Sequence, residues 1–133
     1  MFAMICSVLA SGIAMGLGSI GSAIGEGMIA MEAVKSLGRQ PTASAKIVRV
    51  MIISQAVTET AAIFALVISL LLLFQSPVDS VFKGVTFLAA GIAIGFGTVG
   101  AGLGAGLPGS AAMKGIGKQP KNCLLYTSDA ADE

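Results

Sequence analysis

The sequence predicts an all-α membrane protein, arranged as one transmembrane helical hairpin followed by the first helix of a second, related hairpin. Of its 133 residues, 55% are hydrophobic and only 11% are charged, and the mean hydropathy is +0.90. A soluble domain of this size needs far more polar surface than this composition supplies. Three long apolar segments and an internal repeat define the order of the helices.

The apolar segments each exceed the ~20 residues that an α-helix needs to cross the hydrocarbon of a bilayer. They lie at about 2–31, 47–74 and 82–113. We predict transmembrane helices at about 2–34 and 46–76, which form a first hairpin within residues 1–77. A third helix is expected within residues 78–122. The first segment is too long for a signal peptide and no Lys or Arg precedes it, so we expect it to remain in the mature protein.

Basic residues are concentrated at one end of the predicted helices. Seven of the eight lie there: Lys35, Arg39, Lys46, Arg49, Lys114, Lys118 and Lys121. By the positive-inside rule this end is cytoplasmic, which places the polar loop 35–46 in the cytoplasm and the N-terminus outside. We expect a multi-pass protein of a cell membrane, such as a bacterial inner membrane. The basic residues are too sparse, and too far from aromatic side chains, for a nucleic-acid surface.

An internal repeat relates the first and third helices. Residues 9–41 align with residues 88–120 at a constant offset of 79, without a gap, and 15 of the 33 positions are identical. The shared positions include most of the glycines and the final Gln-Pro pair. The chain is therefore a duplicated module of a glycine-rich helix, a short polar turn and an apolar helix bearing a carboxylate, of which the second copy shows only its first helix.

The sequence changes character at Cys123. Residues 123–133 bear no relation to the segment that the repeat predicts next, and they resemble the translation of a transposon adapter used in sequencing libraries. We expect this tail to be non-native and the true chain to continue into a fourth helix with a second carboxylate. The alternative interpretation is a short acidic cytoplasmic tail.

The glycines of the first helix are expected to pack helices together. Both copies contain a GxGxxG pattern, at 16–21 and 95–100, but this pattern binds dinucleotides only between a strand and a helix of a soluble sheet. Inside an apolar helix, small residues at four-residue spacing instead let backbones approach closely in lipid. The predicted packing residues are Gly12, Gly16, Gly18, Gly21, Gly25 and Gly27.

Glu59 is the strongest candidate for a functional residue. A carboxylate at the centre of a membrane helix costs roughly 2.5–3.5 kcal/mol on insertion scales, so it should be protonated, paired or bound to a cation. Glu26 and Glu59 each lie ~25 Å along their helices from the middle of the first connection, at 1.5 Å per residue. The hairpin therefore brings two carboxylates level, and such a pair would share a proton or hold a small hard cation.

Several oxygen donors surround Glu59 along its helix, and they suit H+ or Na+ better than a soft transition metal. Thr60 supplies a hydroxyl, although Thr58 and Thr60 could instead bond to carbonyls of the preceding turn. Glu26 could be a buried structural acid, because its repeat counterpart is Ala105. Glu32 lies three residues before Lys35, which favours a solvated ion pair.

These residues together resemble the c-subunit, or proteolipid, of the rotary ATP synthases. The similarity rests on the glycine-rich first helix, the polar turn at Arg39, Gln40 and Pro41, and the segment 54–64 around Glu59. It covers residues 9–77 as one full hairpin and residues 88–120 as half of another. It implies hairpins that assemble into a homo-oligomeric ring, with glycine helices inside and Glu-bearing helices outside. In sodium-type members the site has four parts, which map here to Glu59, Glu26, Thr60 and the carbonyl of Val57. Proton-type members often lack that polar set.

The resemblance also implies a function without covalent chemistry. Glu59 would carry Na+ or H+ between two aqueous half-channels as the ring turns, beside an arginine of the stator subunit. The turn at Arg39, Gln40 and Pro41 would face the central stalk. The protein itself would be non-catalytic and hold no tightly bound cofactor; Glu59, Glu26 and Thr60 would be the metal ligands if the ion is Na+. Duplication is typical of the vacuolar and archaeal branch, whereas the Gln-Pro turns resemble the synthase branch.

Two other classes of function compete with this interpretation. A small multi-pass cation-coupled antiporter also uses a membrane glutamate, but such proteins normally have aromatic side chains around a substrate cavity. This chain has no Trp, one Tyr and six Phe. A structural membrane scaffold would explain the glycines but leaves Glu59 and Glu26 without a role.

Overall fold

The computed structural model describes residues 1–75 and 80–119 of the chain. They form three long α-helices: α1 (Phe2–Arg39), α2 (Ser44–Phe74) and α3 (Val81–Lys118). Each helix is long and apolar enough to cross a membrane. The predicted class of all-α membrane protein is confirmed. The tail at 123–133 lies outside the described residues, so the proposal that it is non-native stays a prediction.

The two copies of the repeat end in the same way. α1 ends at Arg39, where the backbone N–H of Gln40 donates to the carbonyl of Ser36 at 2.9 Å. α3 ends at Lys118, where Gln119 donates to Gly115 at 2.9 Å. A proline follows each glutamine in the sequence, and the residue before a proline is disfavoured in the helical region. The Gln-Pro pair therefore stops both helices.

α1 continues beyond the apolar stretch from which its end was predicted at about residue 34. Its last turn contains the polar residues Ser36 and Arg39, because a helix need not end where its apolar stretch ends. A 3₁₀ turn at Pro41–Ala43 then leads into α2. The N-terminus of α3 is capped by Ser80, whose hydroxyl accepts the backbone N–H of Lys83 at 3.1 Å.

α1 and α3 run parallel to each other, and α2 runs antiparallel to both. Along α1, the closest contacts with α3 advance in the same direction, from Ala10 against Gly91 to Ser36 against Gly117. Contacts of α1 with α2 advance in opposite directions, as when the hydroxyl of Ser69 donates to the carbonyl of Ser11 at 2.9 Å. The hairpin and its extra helix thus form one three-helix unit.

The apolar core is divided between the two ends of this unit. At the loop end, one cluster contains Ile29, Ala33, Ile47, Val50, Met113 and Ile116. At the opposite end, a smaller cluster contains Ala10, Leu72 and Phe87. Between them the helices meet through glycines, so backbones lie close together at the depth of the two carboxylates. Large apolar side chains cover much of the outer surface, as lipid contact requires.

Candidate functional site

Glu59 lies at the centre of α2, equidistant from Ser44 and Phe74, and its side chain is exposed on the three-helix unit. It follows Thr58, which is fully buried, by one residue. One residue corresponds to about 100° of rotation around a helix, so Glu59 turns away from the buried stripe of α2. Within residues 1–75 and 80–119, no side chain hydrogen-bonds to its carboxylate.

Thr60 and Val57 contribute two oxygens next to Glu59 on the exposed side of α2. The hydroxyl of Thr60 donates to the carbonyl of Val57 at 2.7 Å. This is the local bond to the preceding turn that the sequence left open as an alternative. It also places the hydroxyl oxygen and the carbonyl oxygen in direct contact, and the hydroxyl oxygen keeps its lone pairs for another partner.

Glu26 lies on α1 and is partly buried against α2. The hydroxyl of Ser22, one turn earlier on α1, lies 2.8 Å from Glu26 Oε1 and 3.3 Å from the main-chain carbonyl of Thr58. Ser22 is 3% exposed. The three groups form a polar contact across the interface between α1 and α2, at the turn of α2 that leads into Glu59.

A close approach of backbones makes this contact possible. A Cβ atom on Gly25 would lie 2.8 Å from the Thr58 methyl group and 2.6 Å from the carbonyl oxygen of Gly102. Real side chains essentially never approach so closely. Gly25 therefore allows α1 to fit between α2 and α3 at the level of Glu26.

The two predicted carboxylates lie at the same level of the hairpin, but the structure does not join them directly. The Ser22 hydroxyl contacts both the Glu26 carboxylate and the Thr58 carbonyl, whereas the Glu59 side chain lies on the exposed side of α2. The four predicted ligands thus fall into two groups. Val57, Glu59 and Thr60 are exposed on α2, where the Thr60 hydroxyl bonds to the Val57 carbonyl, and Glu26 is partly buried in the interface with α1.

Sequence reasoning did not identify Ser22 as a site residue. Two signals point to it. Ser22 lies four residues before Glu26 and thus on the same helix face. In the second copy, moreover, both positions become apolar together, as Ala101 and Ala105.

The predicted packing glycines divide into two sets. Gly18, Gly21 and Gly25 are buried, and a Cβ on any of them would collide with a neighbouring helix. Gly12, Gly16 and Gly27 have no atom of another helix within 4 Å of such a Cβ. The second set therefore lies on an open face of α1.

Polar residues mark the loop end of the unit. Lys35 donates to Glu32 at 2.8 Å, as the three-residue spacing suggested. The turn residues Arg39 and Pro41 are exposed, and Gln40 is partly exposed. α1 and α3 end side by side here, so Arg39 and Lys118 lie at the same end of the unit.

Comparison with known proteins gives consistent results for both copies of the repeat. The family model for the ATP synthase C-subunit matches residues 9–72 and 88–127, most of the chain. The ATP synthase c-subunit of Geotalea uraniireducens (strain Rf4) is 47% identical over 70 residues, 53% of this chain and 77% of that protein. The chloroplastic ATP synthase c-subunit of Emiliania huxleyi is 48% identical over 71 residues, 53% of this chain and 87% of that protein. The ATP synthase c-subunit of Petrotoga mobilis (strain DSM 10674 / SJ95) is 41% identical over 70 residues, 53% of this chain and 73% of that protein.

Proposed function

Because the chain belongs to the ATP synthase C-subunit family, we propose that it is an ion-carrying rotor subunit of a membrane rotary ATP synthase or ATPase. Glu59 binds and releases Na+ or H+ at the middle of the membrane, and ion movement is coupled to ATP synthesis or hydrolysis elsewhere in the complex. The protein is non-catalytic and holds no tightly bound cofactor. The position of Glu59, central and exposed on a membrane-length helix, carries the proposal.

The proposed mechanism follows from the cost of a charge in hydrocarbon. Glu59 loaded with a cation is neutral and can face lipid, whereas an ionised carboxylate there is strongly unfavourable. The carboxylate therefore exchanges its cation only where an aqueous half-channel reaches it. An arginine of the stator subunit would stabilise the emptied carboxylate between the two channels. Each elementary charge moved across 100 mV supplies about 2.3 kcal/mol, so several ions must pass for each ATP.

Assembly into a ring is supported by how the two copies of the repeat pack. Gly21 and Gly25 of α1 contact Gly102 and Gly106 of α3, respectively. The two residues of each contacting pair are 81 positions apart in sequence, whereas equivalent positions of the repeat are 79 apart. Two residues correspond to about 200° around a helix, so α1 and α3 use opposite faces of the same module. Such head-to-tail contacts repeat from copy to copy, and they form a ring when the rotation between copies closes.

The glycine faces that α1 and α3 leave open within one chain match the faces that form the α1–α3 contact. Gly12, Gly16 and Gly27 on α1 are the counterparts of Gly91, Gly95 and Gly106, which α3 buries against α1. Gly100 and Gly104 on α3 are the counterparts of Gly21 and Gly25, and they also have open space around them. A second copy can therefore add its α3 to the open face of α1, with the glycine helices lining the ring.

The ion is proposed to be bound by oxygen ligands alone. Val57 and Thr60 offer a carbonyl and a hydroxyl in contact with each other, beside Glu59. Glu26 adds a second carboxylate at this level, which favours a hard cation over a soft transition metal. Sodium and protons both fit this set of donors.

The other proposed partners follow from the ends of the unit. The turn at Arg39, Gln40 and Pro41 is the surface offered to the central stalk. The excess of basic residues at this end favours a cytoplasmic location, in a bacterial inner membrane. The apolar outer surface contacts lipid and the stator subunit.

Carbodiimide labelling tests the proposal. The reagent modifies protonated carboxyl groups in apolar surroundings, and peptide mass spectrometry separates adducts on Glu59 from those on Glu26. The full chain in its membrane should be labelled at Glu59, and Glu59→Gln should abolish both this adduct and ATP-driven ion transport. Protection by millimolar Na+ would identify a sodium site, and a dependence on pH alone a proton site.

Glu32→Gln serves as the matched control. It removes a carboxylate from the same chain, but one that pairs with Lys35 near the loop. Transport and Glu59 labelling should persist in this variant. The proposal fails if Glu59 is not labelled under any of these conditions, or if Glu59→Gln transports ions normally.

A further inference from the structure

Ser22 makes an unusual contact for a small residue in a glycine-rich helix. Its neighbours Gly21 and Gly25 meet α3 and α2 without any side chain. At Ser22, a hydroxyl is enclosed instead, with 3% of the residue exposed. A buried hydroxyl is unfavourable unless it is hydrogen-bonded. Among residues 1–75 and 80–119, all buried side-chain nitrogen and oxygen atoms have a partner, and Ser22 has two candidate acceptors.

The two acceptors belong to different helices. Glu26 Oε1, at 2.8 Å, is on α1, and the Thr58 carbonyl, at 3.3 Å, is on α2. The hydroxyl of Thr58 cannot replace this link, because it donates within α2 to the carbonyl of Ser54 at 2.9 Å. Ser22 thus lies between the Glu26 carboxylate and the backbone of α2, and its single proton is shared between these two acceptors.

Packing alone does not require a serine at this position. The repeat counterpart of Ser22 is Ala101, and that of Glu26 is Ala105. The second copy therefore builds the same glycine-rich helix without either polar group. Where the hydroxyl is lost, the carboxylate that it would hold is lost as well.

We propose that Ser22 is a positioning residue of the ion site, which holds the Glu26 carboxylate at the Thr58 turn, one residue before Glu59, and so keeps it at the level of the cation that Glu59 binds. This inference rests on the proposed function. Without the hydroxyl, the Glu26 side chain is free to rotate away from α2, and the site loses a pre-oriented oxygen ligand. The cation affinity of Glu59 falls as a result.

The effect should be specific to these two carboxylates. On α2, Glu59 is the titratable residue next to Thr58. The segment of α3 packed at this level, 99–106, contains no titratable side chain. A change in the pH or Na+ dependence of Glu59 labelling therefore reports on Glu26 and Glu59 rather than on another group.

The test measures carbodiimide modification of Glu59 in the full chain, in membranes, as a function of Na+ concentration and pH. In Ser22→Ala, the Na+ concentration that gives half-protection should rise roughly tenfold, since the hydrogen bond that holds Glu26 is lost. If the ion is H+, half-labelling should move about one pH unit lower, the same factor in proton concentration. Ser22→Thr keeps the hydroxyl and should stay within about twofold of the unmodified chain.

A matched control separates positioning from general loosening of the helices. Ser69→Ala removes a hydroxyl of α2 that donates to the Ser11 carbonyl of α1 at 2.9 Å, far from the carboxylates. This variant should leave the ion response of Glu59 unchanged. A shift equal to that of Ser22→Ala would overturn the positioning role.

A double substitution gives the decisive comparison. If Ser22 acts through Glu26, adding Ser22→Ala to Glu26→Ala should cause no further change. An additional tenfold loss in that background would overturn the proposal, as would an unchanged response in Ser22→Ala alone. In either case, ion-responsive labelling of Glu59 in the unmodified chain leaves the proposed function intact. Failure of that labelling is the separate outcome that removes the proposed function.

Discussion

α1 and α3 are two copies of one module, and they differ in which face is buried. α1 packs through Gly21 and Gly25, whose counterparts Gly100 and Gly104 on α3 are open. α3 packs through Gly91 and Gly106, whose counterparts Gly12 and Gly27 on α1 are open. One helix sequence therefore carries two glycine faces, and a single chain satisfies only one on each copy. The remaining faces are open and fit the proposed contact with other copies.

The same comparison separates helix packing from the proposed ion binding. Both copies keep the glycines, but only α1 carries the polar pair Ser22 and Glu26, which is Ala101 and Ala105 on α3. The glycine pattern is thus independent of the carboxylate pattern. The three-helix unit pairs the polar pair of α1 with Thr58 on α2, next to Glu59.

The largest effect is expected from a side chain on the buried glycine face of α1. In Gly21→Val, a Cβ would lie 2.5 Å from the Cα of Val99, so α1 and α3 must separate. We expect a loss of about 3 kcal/mol in the stability of this contact. The buried thiol of Cys6, which lies near Gly84 of α3, provides the measurement. In a Cys123→Ser background, its labelling by a small maleimide should accelerate at least about tenfold.

The matched substitution on the other copy is Gly100→Val. Gly100 is the counterpart of Gly21 but has open space around it, so Cys6 should stay as protected as in the unmodified chain. Equal acceleration in both variants would show that the two copies do not use opposite faces.

On the open face of α1, a substitution is expected to change assembly with other copies but not packing within the chain. Gly16→Val adds a side chain where no atom of another helix lies within 4 Å, so Cys6 labelling should not change. The branched side chain would instead block the close approach of a second copy. The ratio of oligomer to monomer in mild detergent, measured by gel filtration, should fall roughly tenfold. An intact oligomer would contradict the head-to-tail arrangement.

The smallest effect is expected at the loop end, where Ser36 donates to the carbonyl of Met113 at 2.8 Å. Hydrogen bonds between membrane helices contribute only ~0.6 kcal/mol on average, so Ser36→Ala should speed Cys6 labelling about threefold. Ser110→Ala is the control, because its hydroxyl bonds within α3 to Leu107. Equal rates of Cys6 labelling in the two variants would mean that this interhelical hydrogen bond does not contribute to stability.

The level of the two carboxylates in the hairpin could be predicted from sequence because it depends on distances along a helix. The positions of Glu26 and Glu59 relative to the connection follow from a rise of 1.5 Å per residue. The structure links Glu26 to the Thr58 turn, at the level of Glu59. Residue counting could not show that the link passes through Ser22, nor that Glu59 points away from the interface with α1.

The sequence by itself determined the membrane class, the three spanning helices, the duplication and the central carboxylate of α2. These depend on composition and on local periodicity, which are independent of neighbouring helices. The tertiary structure decided which glycines are buried and which polar groups meet. α1 has glycines on more than one face, so only the placement of α2 and α3 around it could distinguish Gly21 from Gly16 and bring Ser22 to Thr58.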